Sequence, residues 1–282
     1  MTLCYNLKPL LAEARAKGYA VGSFNVFNME SLLGIIDAAV SKQSPVIVAV
    51  TESHMEYLDL ESFMPMALEL ARHAPIPVAL HLDHARSIEV ISRALRAGFS
   101  SVMYDGYQLS YETKVEDTKL VVRLAHALGV TVETELGHVG RLGGPKGVLE
   151  SGELADPQVA EDFVKRTGVD VLAVAVGSTH SMAAPEAGLD LERLRQIAGT
   201  CDCFLSLHGG SGISVTHLRS AIEIGVAKVS VFTKLANTAL AYAREYLTHE
   251  NANWPDMCLQ ARAGFRIAVE EQIDRLGSVK HG

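Results

Sequence analysis

The chain has 282 residues, 48% hydrophobic and 21% charged, with a formal net charge of −8 and a mean hydropathy of +0.17. That balance suits a compact α/β enzyme and excludes a disordered chain; the acidic surplus argues against nucleic acid as a partner, which needs a basic face. Cys4, Cys201, Cys203 and Cys258 show no disulfide spacing, no apolar run reaches the roughly 18 residues of a membrane span, and charges interrupt the N-terminal apolar residues, unlike a signal peptide, so a cytoplasmic protein without membrane contact is expected.

A short helix is predicted at residues 6–17. Apolar, β-branched runs then recur: YAVGSFNV (19–26), SPVIVAVT (44–51), IPVALHLD (76–83), SSVMYD (100–105), VTVETE (130–135), DVLAVAVGS (170–178), DCFLSLH (202–208) and AKVSVFT (227–233). Near-continuous apolar runs of this length read as parallel strands covered on both faces. Helices lie between them with legible ends. Ser87 caps IEVISRALRA, where Ile88, Ile91 and Leu95 share a face and Gly98 is the stop. Leu120, Leu124 and Leu128 line another helix, stopped by Gly129. Asp156-Pro157 opens one ended by Gly168, and Ser214 opens one ended by Gly225.

Eight strands alternating with helices predict a (β/α)8 TIM barrel as a single domain over residues 1–282, with a helical C-terminal extension at about 250–278; a doubly wound sheet is the weaker alternative. Residues 137–156 break the rhythm with a long, glycine-rich stretch of mixed charge. After a barrel strand, a loop of that length reads as a lid over the catalytic face.

Five strand ends carry ligand-capable side chains: His84 beside Asp83, Asp105, Glu135, His180 and His208. In a barrel these all reach one rim. Three imidazoles suit zinc, leaving a fourth position for water or a substrate oxygen. Asp105 and Glu135 are candidate auxiliary metal ligands or acceptors orienting the imidazoles, and Glu133, on the same strand face as Glu135, can substitute for it. Asp83, next to a ligand, is placed to move a proton on a substrate oxygen. His81 reads as a core residue with a hydrogen-bond partner. His208 runs into Gly209, Gly210, Ser211 and Gly212, a turn whose backbone N–H groups suit an anion. Ser230, Phe232 and Thr233 at the eighth strand's end sit where this barrel class binds phosphate.

HLDH, DG, ETELG and LHGGSG at their mutual spacing resemble the class II, zinc-dependent ketose-bisphosphate aldolases, the fructose- and tagatose-bisphosphate aldolase family, over more than 200 residues. The resemblance implies that His84, His180 and His208 bind a catalytic Zn2+, with Asp105 and Glu135 at alternative metal positions and Asp83 as proton donor. It also implies a dihydroxyacetone-phosphate site at Ser181, Gly209–Ser211 and residues 230–233, a monovalent cation (Na+ or K+), and a homodimer or homotetramer. The expected activity is reversible cleavage of a phosphorylated ketose, or a related sugar acid phosphate, to dihydroxyacetone phosphate and an aldehyde through a zinc-stabilised enediolate. The alternatives are a non-catalytic partner subunit of such an aldolase and another metal-dependent sugar-phosphate barrel enzyme.

The chain departs from the family's pattern at several points. Ser181 replaces the usual glycine, Ser230 the usual asparagine, Phe232 a small or acidic residue, and Ala85 a common glycine, while the tyrosine expected near SMAAPEAG is missing. Pro145-Lys146 replaces an acidic pair in the lid, leaving Glu150 or Glu153 as candidate bases.

Overall fold

A computed structural model describes residues 5–106, 108–139, 141–142, 149–150, 152–179 and 188–282. Eight strands, β1 Val21–Asn25, β2 Val46–Thr51, β3 Val78–Ala85, β4 Ser101–Tyr104, β5 Thr131–Leu136, β6 Val171–Val174, β7 Phe204–Leu207 and β8 Val226–Val231, pair in parallel around a closed barrel in chain order. The predicted (β/α)8 barrel is the observed architecture.

Helix α1 (Leu7–Lys17) precedes β1. Helices α2 (Met29–Lys42), α3 (Leu60–His73), α4 (Ile88–Ala97), α5 (Tyr111–His126), α6 (Pro157–Thr167), α7 (Leu191–Thr200) and α8 (Val215–Ile224) connect successive strands. The predicted caps are present: Ser87, Asp156 and Ser214 accept from first-turn N–H groups, and Gly98, Gly168 and Gly225 close their helices. The leucine stripe of α5 is not its buried face. Val115, Val121, Val122 and Ala125 face the core, whereas Leu124 is exposed and Leu128 lies beyond the helix end. After β8 come α9 (Thr233–Tyr246) and α10 (Trp254–Leu276), and α10 packs along α2 and α9. No described helix is long and apolar enough to cross a membrane.

Strand alternation divides the burial. Outward residues such as Val48, Leu80, Val102, Val132 and Leu172 pack under the helices. Inside the barrel's lower end, Val21, Ile47, Ala79, Val171 and Phe204 meet Leu7, Leu10 and Leu11 of α1, which plugs the floor. Above that apolar layer the interior becomes polar, with His81, Ser101, Glu133, Ser206 and Lys228 all buried. The apolar strand runs therefore encode the covered outer face and the floor, and the polar interruptions mark the upper interior.

Of the lid-like stretch, Arg141–Leu142 pairs antiparallel with Leu149–Glu150, and His138 bridges Glu153. Pro145-Lys146 and the Glu150 side chain lie outside the description. Glu153 is exposed at the base of this hairpin.

One carboxylate ties the floor together. Asp170 accepts from Lys8 Nζ at 2.9 Å, from His126 Nε2 at 2.8 Å and from the Val132 N–H at 2.9 Å. Burial alone would raise its pKa, but these donors hold it below the ordinary value of 3.8. A carboxylate with a depressed native pKa adds stability above its unfolded-state pKa and loses it as pH falls through the native one. Asp170→Ala should cost about 2 kcal/mol at pH 7, measured by urea unfolding. The deficit should shrink as pH drops below the unfolded value near 3.8.

Candidate active site

The upper interior is assembled by register. Thr51 of β2 lies opposite Asp83 of β3, and Asn25 ends β1 beside them. Asp83 Oδ2 accepts from Asn25 Nδ2 and Thr51 Oγ1, both at 2.8 Å. Its other oxygen, Oδ1, is buried with no hydrogen-bond partner among the described residues. It lies 4.0 Å from His84 Nε2.

Successive strand residues point to opposite faces, so adjacent Asp83 and His84 cannot both reach the interior of a regular strand. The β3–β4 register shifts between Leu82 and Ala85, and His84 has φ +50°. This bulge, with a left-handed residue, turns the strand end and brings the His84 ring to the same space as Asp83.

His84 Nδ1 donates to Asp105 Oδ2 at 2.9 Å, and His208 Nε2 donates to Glu133 Oε1 at 3.2 Å. Each imidazole thus spends its proton-bearing nitrogen on a carboxylate, which leaves a lone pair on the other. Those lone-pair nitrogens, His84 Nε2 and His208 Nδ1, face each other at 2.9 Å with the rings nearly perpendicular. At that distance either one nitrogen carries a proton that the other accepts, or a cation lies with both lone pairs. Asp83, His84 and His208 form a metal-competent group whose ligand atoms lie within 4.8 Å of one another. The donor set therefore fits a metal ion.

The electrostatics agree. Burial pulls the His84 pKa down, but Asp83 and the Asp105 hydrogen bond outweigh it and push it up to about 9, so without a metal this imidazole holds a proton. Burial opposes charge on Asp83, yet His84, His208 and Lys228 hold its carboxyl well below the usual range. His81, one layer down, is pressed to about 3 by burial and by Lys228, so it is neutral.

Asp105 acts on His84 as an orienting acceptor. Glu133, the alternative to Glu135, accepts from His208. Glu135 is buried higher on β5, where its Oε1 accepts from the Val139 N–H at 3.2 Å and lies 3.8 Å from His138 Nδ1. Lys114 of α5 is buried behind it and donates to the Glu135 carbonyl at 2.6 Å. Its pKa is lowered by burial. His180 and Ser181 lie outside the described residues.

The glycines after His208 are required by close approach. A Cβ on Gly209 (φ +72°) would sit 2.4 Å from the Thr179 carbonyl oxygen, and one on Gly210 would sit 2.6 Å from Val229. That tight turn places Ser211 against α9, where its Oγ accepts from the Lys234 N–H at 3.1 Å. Helix α9 begins at Thr233 with Phe232 as a cap that supplies no side-chain hydrogen bond. The turn and the helix N-terminus make the positive end that an anion needs. The Phe232 ring leans away to His54 and Phe27, at 4.8 and 6.1 Å. Arg262 and Arg266 are ion-paired with Asp37 and Glu270.

Sequence reasoning missed Asn25, Thr51, Ser206, Lys114 and Lys228. A signal existed for some of them: Asn25 and Thr51 are polar strand ends, and Lys228 is a lone cation in an apolar strand.

The model of the family described as fructose-bisphosphate aldolase class-II matches residues 5–281. Fructose-bisphosphate aldolase of Thermus caldophilus is 38% identical over 96% of this chain and 97% of its own. The crystal structure of the YdjI aldolase from Escherichia coli K12 is 33% identical, with a TM-score of 0.87 over 98% of both chains. Fructose-bisphosphate aldolase from Campylobacter jejuni, at 21% identity and a TM-score of 0.81 over 98% of this chain and 95% of its own, shares the fold. The chain belongs to the class II fructose-bisphosphate aldolase family and is an aldolase, a carbon–carbon lyase.

Proposed function

We propose that this aldolase reversibly cleaves a phosphorylated ketose, or a related sugar acid phosphate, to dihydroxyacetone phosphate and an aldehyde, with zinc as its cofactor. The observation that carries the reading is the 2.9 Å approach of His84 Nε2 and His208 Nδ1 beside Asp83 Oδ1, which has no hydrogen-bond partner among the described residues. His84 and His208, with His180 as third imidazole, would hold the ion, in keeping with zinc's preference for nitrogen ligands and an open fourth position. When bound there, zinc supplies Lewis acidity that polarises the substrate carbonyl and offsets the negative charge left by C–C cleavage.

The chain's own groups do the rest. Asp83 is held ionised and fixed by Asn25 and Thr51 through Oδ2, so Oδ1 is the oxygen that takes the proton from the hydroxyl whose carbon becomes the aldehyde. In condensation the same oxygen returns it. The Gly209–Ser211 turn, Thr233 and the α9 N-terminus bind the phosphate and hold the three-carbon half in reactive geometry. Ser230 and Phe232 border that half. Asp105 and Glu135 are kept as auxiliary positions for the metal, and a Na+ or K+ ion beside the phosphate is part of the same reading.

Chelation should abolish aldol condensation of dihydroxyacetone phosphate with an aldehyde panel, and zinc should restore it; activity surviving complete metal removal would overturn the mechanism. His208→Ala should weaken zinc binding more than about 100-fold, read by competition with a chromogenic chelator. Asp83→Ala should keep its zinc yet lose about 10^2–10^4-fold in turnover. An active Asp83→Ala enzyme would remove Asp83 from the proton-transfer role. The assembly we propose is a homodimer or homotetramer, in line with exposed Leu247, Trp254 and Leu259 on and beside the last two helices. Sedimentation velocity showing only monomer would refute it.

A further inference from the structure

The middle of the barrel holds a lysine for which the proposed reaction has no direct use. Lys228 of β8 is fully buried, and its ammonium carries three donor protons. Its Nζ donates to Ser230 Oγ at 3.3 Å and to His81 Nε2 at 3.4 Å, and it is ion-paired with Glu133 Oε2 at 2.7 Å. Those contacts set the polarity of the layer. Because His81 accepts at Nε2, its proton sits on Nδ1 and is donated to Ser101 Oγ at 2.7 Å. Glu133 is held by Lys228 on one oxygen and by the Ser206 hydroxyl, at 2.7 Å, on the other. The same Oε1 takes the His208 Nε2 proton. Ser230 Oγ accepts from Lys228, so its only O–H proton is left to be donated elsewhere. Ser230 stands one alternation above Lys228 on β8, toward the mouth.

We propose that Lys228 is a positioning residue that presets both halves of the active site. Through Glu133 it holds His208 in the tautomer that offers Nδ1 to the metal, and directly it turns the Ser230 hydroxyl into a donor aimed at a substrate oxygen. The Ser230 half rests on the aldolase reading above; the His208 half does not. A buried ion pair contributes little net stability, because desolvation offsets the attraction, so orientation is the role that the geometry leaves for this pair.

Removing one member would strand a buried charge and endanger folding, whereas removing both does not. The test therefore compares wild type, Glu133→Met/Lys228→Met, Ser230→Ala and the triple variant, each checked for folding by circular dichroism. Zinc affinity, read by chelator competition, should fall about 10- to 100-fold in the double variant and stay unchanged in Ser230→Ala. A folded double variant that binds zinc as wild type does would overturn the His208 half. At saturating zinc, solvent exchange of the dihydroxyacetone phosphate C3 proton should fall about 100-fold in Ser230→Ala. In the double-variant background the same substitution should cost less than about 3-fold, because coupled groups are non-additive. Full additivity would overturn the Ser230 half. Absence of exchange in zinc-loaded wild type would sink the aldolase reading and that half with it, and the zinc affinities would still decide the other.

Discussion

Two imidazole nitrogens facing each other at 2.9 Å in a buried barrel mouth impose a constraint that most of the upper structure answers. Their lone pairs repel unless a proton or a metal cation lies between them, and a metal requires each ring to be kept from turning its N–H inward. Asp105, just past β4, and Glu133 of the neighbouring β5 do this, so each ring's inward-facing nitrogen is selected by a carboxylate on another strand. The bulge at His84 is the backbone's part in the same task. A left-handed φ at a non-glycine residue is unfavourable, and it persists here because it brings two consecutive side chains to one site.

The barrel separates what stabilises the fold from what prepares the chemistry. Its outer face and floor are apolar and closed by helices, so the apolar core lies outside the polar middle. That middle is costly. Replacing a buried ion pair by apolar side chains is often neutral or stabilising by about 1–4 kcal/mol, whereas stranding one partner costs about 3–5 kcal/mol. Glu133 and Lys228 are affordable only because Ser206, Ser230 and His81 share their hydrogen-bonding needs. The layer beneath the candidate metal is thereby linked by hydrogen bonds and an ion pair among buried side chains.

The sequence made the fold and the candidate ligands His84 and His208 legible because both leave local marks. Strand runs, capping residues and glycine stops lie within a few positions of each other, and strand-end His84 and His208 are followed by turns. Of their partners, Asp105 was legible as an orienting acceptor, whereas the choice between Glu133 and Glu135 was not. Glu133 and Glu135 share a strand face by the period of two, and only depth in the barrel separates the one that meets His208 from the one that accepts the Val139 N–H. Lys228 and Glu133 meet only because the sheet closes on itself. Nothing local announces the φ of His84. The α5 leucines misled for a related reason: an i, i+4 stripe gives a helical period, but the packed face fell to the smaller and β-branched Val115, Val121, Val122 and Ala125.

The substrate end is where this chain differs most from the pattern it resembles, and the geometry gives the difference a physical sense. An amide at position 230 would bring its own donor and acceptor and would need no help to point a proton at a substrate oxygen. A serine hydroxyl rotates freely, and its direction must be set by what it accepts. With Lys228 donating to it from below, the shorter side chain regains a defined donor direction and leaves more room above it. Phe232, two residues on, stands against His54 and Phe27 beyond the ends of β1 and β2. The candidate metal end and the proposed phosphate end are thus held by backbone and buried charge. Between them, Ser230 and Phe232 are side chains at which this chain departs from the pattern it resembles.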